Sequence, residues 1–574
     1  MATFVGCAAV AALVAAPISL ERAVEGVHFS DDLGTFPVEV SLCHDGRSTL
    51  DTGLFGKVFW SRTGTLGFGA YARATGPPEA GGTLASYVDP QFIQANVALI
   101  HEPTEVVHAY STQLSNGLRD QFLRNELLAA LVGGAVLRGL FPRARLATRS
   151  RGSLVLSGVL LVGVAAAASS GAAVQLFHAW PCSEQTTSAY PIPGVAKLSF
   201  GNVQTREIAE QVRPFIDKNT RRIEADAKDY ESAASTSFAV ALASREPDLV
   251  PRADESIVLA EADPQGSDVG VAVRKDLYRH LVETLGPQAI SLRTISGDVS
   301  SNGTVAESGY IARESKVSGT IPTVAVGGDH DSVETWRQLA RNGVVVPDLR
   351  TDAVAGLDVA GANDREHKTL FGGMFTNASG ISEQQLGAML RSKTDKDGAR
   401  IVLLHQPDAV AGYLGLDDLD PVRAVHGSRT TPYDDGIPDQ PPGIVDIGHL
   451  HQLDGPWVLW NTDGPEVTWT VVDQLGTAGG VENAPTFSRF STPVSAPLKP
   501  LTVRLQYVDT ESGLETGYAT IRCGLDGGCR ISGRVDVGLP GGKPLAAADL
   551  PDRSTPSRPS SWHRRRSHLP MMWP

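Results

Sequence analysis

Basic charge is in short supply in this 574-residue sequence: 50 Lys and Arg stand against 64 Asp and Glu, for a formal charge of −14. A general nucleic-acid binder needs a basic stripe to displace counterions from phosphates, so this balance argues against one. Cysteine is scarce as well, and five are too few for a disulfide scaffold. No internal repeat is apparent. The first 20 residues, MATFVGCAAVAALVAAPISL, carry no charged side chain and so lack the basic n-region of a secretion signal. They read either as a signal's apolar segment or as a spanning anchor. Apolar residues themselves are not lacking: at 42% of the chain they exclude disorder of the whole. The length leaves room for two to four domains of about 100–200 residues.

A longer charge-free run extends from Gly152 to Ser183, and its most apolar part is SLVLSGVLLVGVAAAASSGAAVQLF. A helix rising about 1.5 Å per residue would carry that part across about 30 Å of hydrocarbon. Just before it, PRARLATRSRGS holds Arg143, Arg145, Arg149 and Arg151 with no acid. Before that, LLAALVGGAVLRGLF (127–141) is interrupted only by Arg138, which can snorkel to the interface. The pattern predicts a transmembrane hairpin over 123–178 with a basic cytoplasmic loop, hence two or three transmembrane helices in all. The cell membrane is then the expected location and the lipid bilayer a partner, with the main domains extracytoplasmic. So few spans do not build a transporter pathway.

Between the apolar segments, 21–122 shows period-two runs such as FPVEVSL divided by turn clusters, which predicts a small β-rich domain. His44 and Asp45 in CHDG read as a solvated turn. Residues 179–254 contain an alternating-sign helical pattern, expected to be an amphipathic connector. Over 255–475, IVLAEAD, AISLRTISGD, IPTVAVGGDHD, ARIVLLHQP and GIVDIGHLH are apolar strands ending in polar residues, the mark of a layered α/β domain with ligands at one sheet edge. Residues 476–548 read as a β-rich extension. There, CGLDGGC sets Cys523 and Cys529 across a Gly-rich turn, either as a local disulfide or as two free thiols. The Pro/Ser/Arg-rich 549–574 reads as a disordered tail.

The polar strand ends occur as Asp263-Pro-Gln265, Gly297-Asp298 followed by Gly303, Gly328-Asp329-His330-Asp331, His405, and Gly448-His449-Leu-His451. This ordered series resembles the calcineurin-like metallophosphoesterase superfamily, in particular its membrane-anchored actinobacterial members, over roughly 255–475. The resemblance implies a layered β-sandwich flanked by helices. It also implies a metal-dependent phosphoric ester hydrolase acting on a phosphomonoester or phosphodiester through metal-activated water, with two divalent ions (Mn, Fe or Zn) as cofactors. On that basis Asp298 bridges the ions. Asp263, Gln265 and His451 hold one, and Asp329, His405 and His449 hold the other. His330 stands beside the substrate, and Asp331 orients it.

Two positions depart from the superfamily pattern. Gln265 stands where a histidine is usual, and Asp329 where an asparagine is usual. The first change weakens one metal site, so the second reading is a catalytically impaired phosphoesterase-like protein serving as an envelope binding or scaffolding module. Retained His330, His449 and His451 favour the enzyme. The sequence carries no readable code for which phosphate ester is the substrate.

Overall fold

The computed structural model describes residues 2–33, 36–43, 47–51, 57–61, 68–75, 103–140, 190–191, 198–200, 203–368, 375–396, 398–479 and 496–549. The expected spanning run after Gly152, its basic loop, the turn at His44 and Asp45, and the tail beyond Asp549 lie outside these residues. The described chain is a mixed α/β protein with nine α-helices and several mixed sheets.

The amino-terminal unit begins with the apolar helix α1 (Ala2–Gly26). Strands β1 (His28–Leu33), β2 (Phe36–Cys43), β3 (Arg47–Asp51), β4 (Lys57–Ser61) and β5 (Gly69–Ala74) follow, joined later by β6 (Tyr190–Pro191) and β7 (Leu198–Phe200). They form one sheet in the order β1-β2-β5-β3-β4-β7-β6, in keeping with the period-two runs. Helix α2 spans Pro103–Leu140. It starts 20 residues before the expected hairpin because Tyr110, Leu114 and Leu118 recur every fourth residue and bury one stripe against Val27, Val38, Val40 and Leu50. Among the described residues, one helix, over Phe4–Gly26, is long and apolar enough to cross a membrane.

The 47-residue helix α3 (Val203–Leu249) is more than a connector. Its Tyr230, Ala234, Phe238 and Leu242 keep the helical period and pack on the outer face of the next sheet. In that sheet β8 (Glu255–Glu261), β9 (Ile290–Ser296) and β10 (Thr323–Val326) run parallel in the order β10-β9-β8. The second runs β11-β12-β15-β16-β18-β17, from β11 (Arg350–Val354), β12 (Leu357–Gly361), β15 (Ile401–Leu404), β16 (Gly443–Ile447), β17 (Asp454–Asn461) and β18 (Glu466–Gln474). A two-residue pair, β13 (His367–Lys368) and β14 (Phe375–Thr376), stands apart.

Alternation along the strands builds the layers. Val258, Leu292, Val324 and Val326 of the first sheet face Val359, Ile401, Leu403 and Ile444 of the second. Their neighbours Ile257 and Leu259 turn outward to α3 and to α4 (Asp268–Leu285). Across the molecule Val402, Leu404, Val445 and Ile447 turn outward to helices Glu383–Thr394 and Pro407–Leu414. The result is helix, sheet, sheet, helix.

The 476–548 stretch does not stand beside this unit as an extension. Strand β19 (Leu501–Asp509) is inserted next to β8, and β20 (Glu515–Cys523) and β21 (Cys529–Ile531) complete the same sheet. All nine residues of β19 are buried, which requires a sheet on both flanks and layers on both faces. Cys523 and Cys529 pair across β20 and β21 as a disulfide.

Candidate metal centre

Five loops meet at one place because β8, β9, β10, β15 and β16 run parallel within their sheets and end at the same edge. Three belong to the first sheet and two to the second, so the site straddles the sandwich. The loops deliver Asp263, Asp298, Asp329, His405 and His449 in that order. Three of the five strand ends turn through left-handed backbone. Among the described non-glycine residues seven have positive φ, and five of them are Asp263 (52°), Gln265 (39°), Asp298 (53°), His449 (70°) and His451 (51°). Such backbone is unfavourable for side chains with a Cβ and persists only where the surroundings over-determine it, typically at functional sites.

The glycines of the motifs have a steric reason. A Cβ on Gly328 would fall 2.3 Å from Asp298 Oδ1, and one on Gly297 would fall 2.3 Å from His405 Nδ1. On Gly448 it would lie 2.3 Å from the Ser296 carbonyl. These loops pass so close to Asp298, His405 and the Ser296 carbonyl that only hydrogen fits.

His405 is the hub. Its Nδ1–H donates to the Ser296 carbonyl at 2.9 Å, which fixes the tautomer. Its Nε2 lies 3.0 Å from Asp329 Oδ1, 3.3 Å from Asp298 Oδ1 and 3.3 Å from His449 Nδ1. His449 Nδ1 is also 3.2 Å from Asp329 Oδ1. Three overlapping triads result, each tight enough to hold a metal ion: Asp329, His405 and His449; Asp263, Asp298 and His405; and Asp298, Asp329 and His330. His451 sits to one side, its Nε2 3.8 Å from Asp263 Oδ1.

Electrostatics follow from crowding. Burial pushes Asp263 well up, and the Asp298 and Asp329 charges add to this against the pull of His405. Burial also opposes ionisation of Asp329, but hydrogen bonds to His405 and His449 hold it far below the usual carboxylate range. For His405 burial disfavours the cation, yet the Asp298 charge prevails and raises it well above 6.5. Burial holds His451 down at about 3, a neutral imidazole ready to ligate.

Several buried polar atoms at the site are stranded. Asp263 Oδ2, Asp329 Oδ2, Gln265 Oε1 and His451 Nδ1 are all buried without a hydrogen-bond partner. An orphaned buried carboxylate oxygen is costly. Four such atoms around three carboxylates and two imidazoles are the donor set a divalent cation satisfies, so the residues present fit the ion.

Two expected roles look different in three dimensions. Asp331 does not reach the His330 ring: its carboxylate accepts from Val299 N (2.9 Å), Ser300 N (2.7 Å), Gly328 N (2.9 Å) and Ser300 Oγ (2.6 Å). It ties two site loops together, and His330 instead donates Nδ1–H to the Ser301 carbonyl at 2.8 Å. Gln265 donates its amide to Asp298 Oδ2 at 2.9 Å, occupying an oxygen of the expected bridge.

A sixth loop went unread in the sequence. After β12, Asn363 Oδ1 accepts from Gly327 N (2.7 Å), and His367 Nδ1 donates to the Asp331 carbonyl (3.1 Å). In the same loop Asp364 is buried, and burial together with the Glu383 carboxyl pushes it up to about 9. The signal was present, since LDVAGAND is another apolar run ending in an acid. No family model matches this chain, and no curated protein matches it.

Proposed function

We propose that the protein is a membrane-anchored, metal-dependent phosphoesterase of the metallophosphoesterase-like sandwich architecture. The observation that carries this reading is the convergence of Asp263, Asp298, Asp329, His405 and His449 at the ends of five parallel strands, with buried oxygens left unpartnered. Asp298 would bridge two divalent ions. Asp263, Gln265 and His451 would complete one set, and Asp329, His405 and His449 the other. When bound, such a pair supplies Lewis acidity toward a phosphoryl oxygen and an activated water.

The chain's own residues do the rest. His405, with Nδ1–H fixed on the Ser296 carbonyl, turns Nε2 toward the acids, where a bound cation would take the place of its proton. His330, with Nδ1–H committed to Ser301, presents Nε2 to the substrate, to stabilise phosphoryl charge or pass a proton to the leaving oxygen. The apolar helix α1 serves as anchor. The Cys523–Cys529 disulfide, with Cys43 also disulfide-bonded, supports an oxidising, extracytoplasmic location for both units.

The test is hydrolysis of an aryl phosphodiester and an aryl phosphomonoester by the detergent-solubilised full chain, with Mn and with chelator. Turnover is expected to need the metal and to vanish in His449→Ala. A second reading, an impaired phosphoesterase that serves as a binding module, is favoured by Gln265 alone, whose amide takes an oxygen of the bridge. A folded, metal-free chain with no turnover under any of Mn, Fe, Zn or Mg would select it.

A further inference from the structure

The loop from Asp298 to Glu307 forms one wall of the site, and its far end leaves the layered unit. Near the clustered carboxylates, the Ser301 carbonyl carries His330. In the middle, Glu307 gathers the backbone N–H groups of Ser301 (2.7 Å), Asn302 (3.2 Å) and Thr304 (3.0 Å). At the end, Val305 is buried among Val27, Tyr110 and Leu114, all from the amino-terminal unit, with Leu118 beside them. Its N–H donates to Asp31 Oδ1 at 3.2 Å across 274 residues of sequence. Asp31 Oδ2 in turn accepts from Tyr110 Oη at 2.7 Å, and the Phe29 ring packs edge-on against Tyr110 at 5.5 Å.

We infer that the amino-terminal unit is part of the catalytic apparatus: Asp31 and Tyr110 are positioning residues that hold the 301–307 loop and, through the Ser301 carbonyl, the His330 ring. The inference rests on the phosphoesterase reading. Asp298 is the one proposed ligand on this loop, and it stands at the other end, held by His330 N–H (2.9 Å) and the Gln265 amide (2.9 Å), so ion binding does not hinge on the Asp31 contact. The aim of His330 does. Shifting a reacting group by about 1 Å is enough to slow chemistry by about a hundredfold. The contact also couples the helix packed along apolar α1 with the chemistry, since Tyr110 and Leu114 lie on α2.

Full-length Asp31→Ala and Asp31→Asn, in detergent, test this. In Asp31→Ala, kcat for the aryl phosphodiester falls by about ten- to a hundredfold. KM and bound metal stay within about twofold, the signature of an interaction used in the chemical step. Amide hydrogen exchange across 299–307 quickens. Asn keeps an oxygen for Val305 N–H and restores most of kcat and protection. Unchanged kcat and unchanged exchange in Asp31→Ala overturn the inference, as does loss of metal in parallel with activity, which marks a general structural role. If the wild-type chain shows no metal-dependent turnover, the phosphoesterase reading falls. Exchange across 299–307 then still decides whether Asp31 holds the loop.

Discussion

Gln265 places a carboxamide beside Asp298. An imidazole there would present a nitrogen lone pair to a cation, whereas the amide spends its N–H on Asp298 and offers only a neutral oxygen, Oε1, now unpartnered. Gln265→His is therefore expected to raise the metal content after gel filtration toward two ions per chain, measured by elemental mass spectrometry. Unchanged stoichiometry would show that this position does not limit the site. The type and order of Asp263, Asp298, Asp329, His330, His405, His449 and His451 were legible in the sequence, because each follows an apolar run. The partner of Asp331 was not. A carboxylate beside a histidine in sequence has no obligation to touch it, and four donors from two neighbouring loops outcompete one imidazole for its oxygens.

At the scale of elements, the joint between β8 and the carboxy-terminal strands is electrostatic as well as apolar. Glu255 opens β8 and accepts from Arg534 at 2.6 and 2.8 Å, from Thr516 Oγ1 at 2.8 Å and from Arg252 N at 2.9 Å. Burial alone would raise its pKa, but these partners, Arg534 foremost, hold it down at about 2 against an ordinary 4.5. A depressed carboxyl stabilises the fold fully above the unfolded value and loses that contribution as pH falls through the folded one. About 3 kcal/mol should thus disappear between pH 4.5 and 2. Denaturant titrations across that range should show a clearly shallower acid limb in Glu255→Gln than in the wild type. A wild-type limb in the variant would mean that Glu255 is not the linked group. Strand identity here was readable from short apolar runs bounded by turn residues. The pairing of β19 with β8 was not, because a fully buried strand shows no alternation to indicate which sheet claims it.

For the whole molecule, the question is how the apolar helix and the layered unit are joined. Helices α1 and α2 meet along a seam of small residues, where a Cβ on Gly134 would lie 2.9 Å from Ala8 Cα and one on Gly133 would lie 2.7 Å from Ala11 Cβ. Asn125 Nδ2 donates to the Ser19 carbonyl at 3.2 Å further along. On the outer faces Val5, Val14 and Ile18 of α1 and Leu127, Leu128, Val132 and Val136 of α2 are exposed. Close backbone approach of this kind lets two helices gain van der Waals contact along a seam of small residues. Gly134→Val should separate the pair at a cost of about 1–3 kcal/mol, seen as a lower thermal midpoint in detergent. An unaltered midpoint would show that the seam contributes nothing.

The sequence by itself determined the local features: an apolar charge-free amino-terminal stretch, alternating strands, a Gly-rich turn between Cys523 and Cys529, and chemical residues placed at strand ends. Each depends on neighbours within a few residues, where periodicity and turn chemistry act. The tertiary structure decided what depends on distant partners. It placed β19 beside β8, ran α2 unbroken from Pro103, turned Asp331 to the backbone and added the Asn363 to His367 loop. It also set Asp31 against Val305 beside the site. Such contacts form because the layered core leaves one arrangement in which buried polar groups find partners, and that arrangement is written in three dimensions rather than in spacing along the chain.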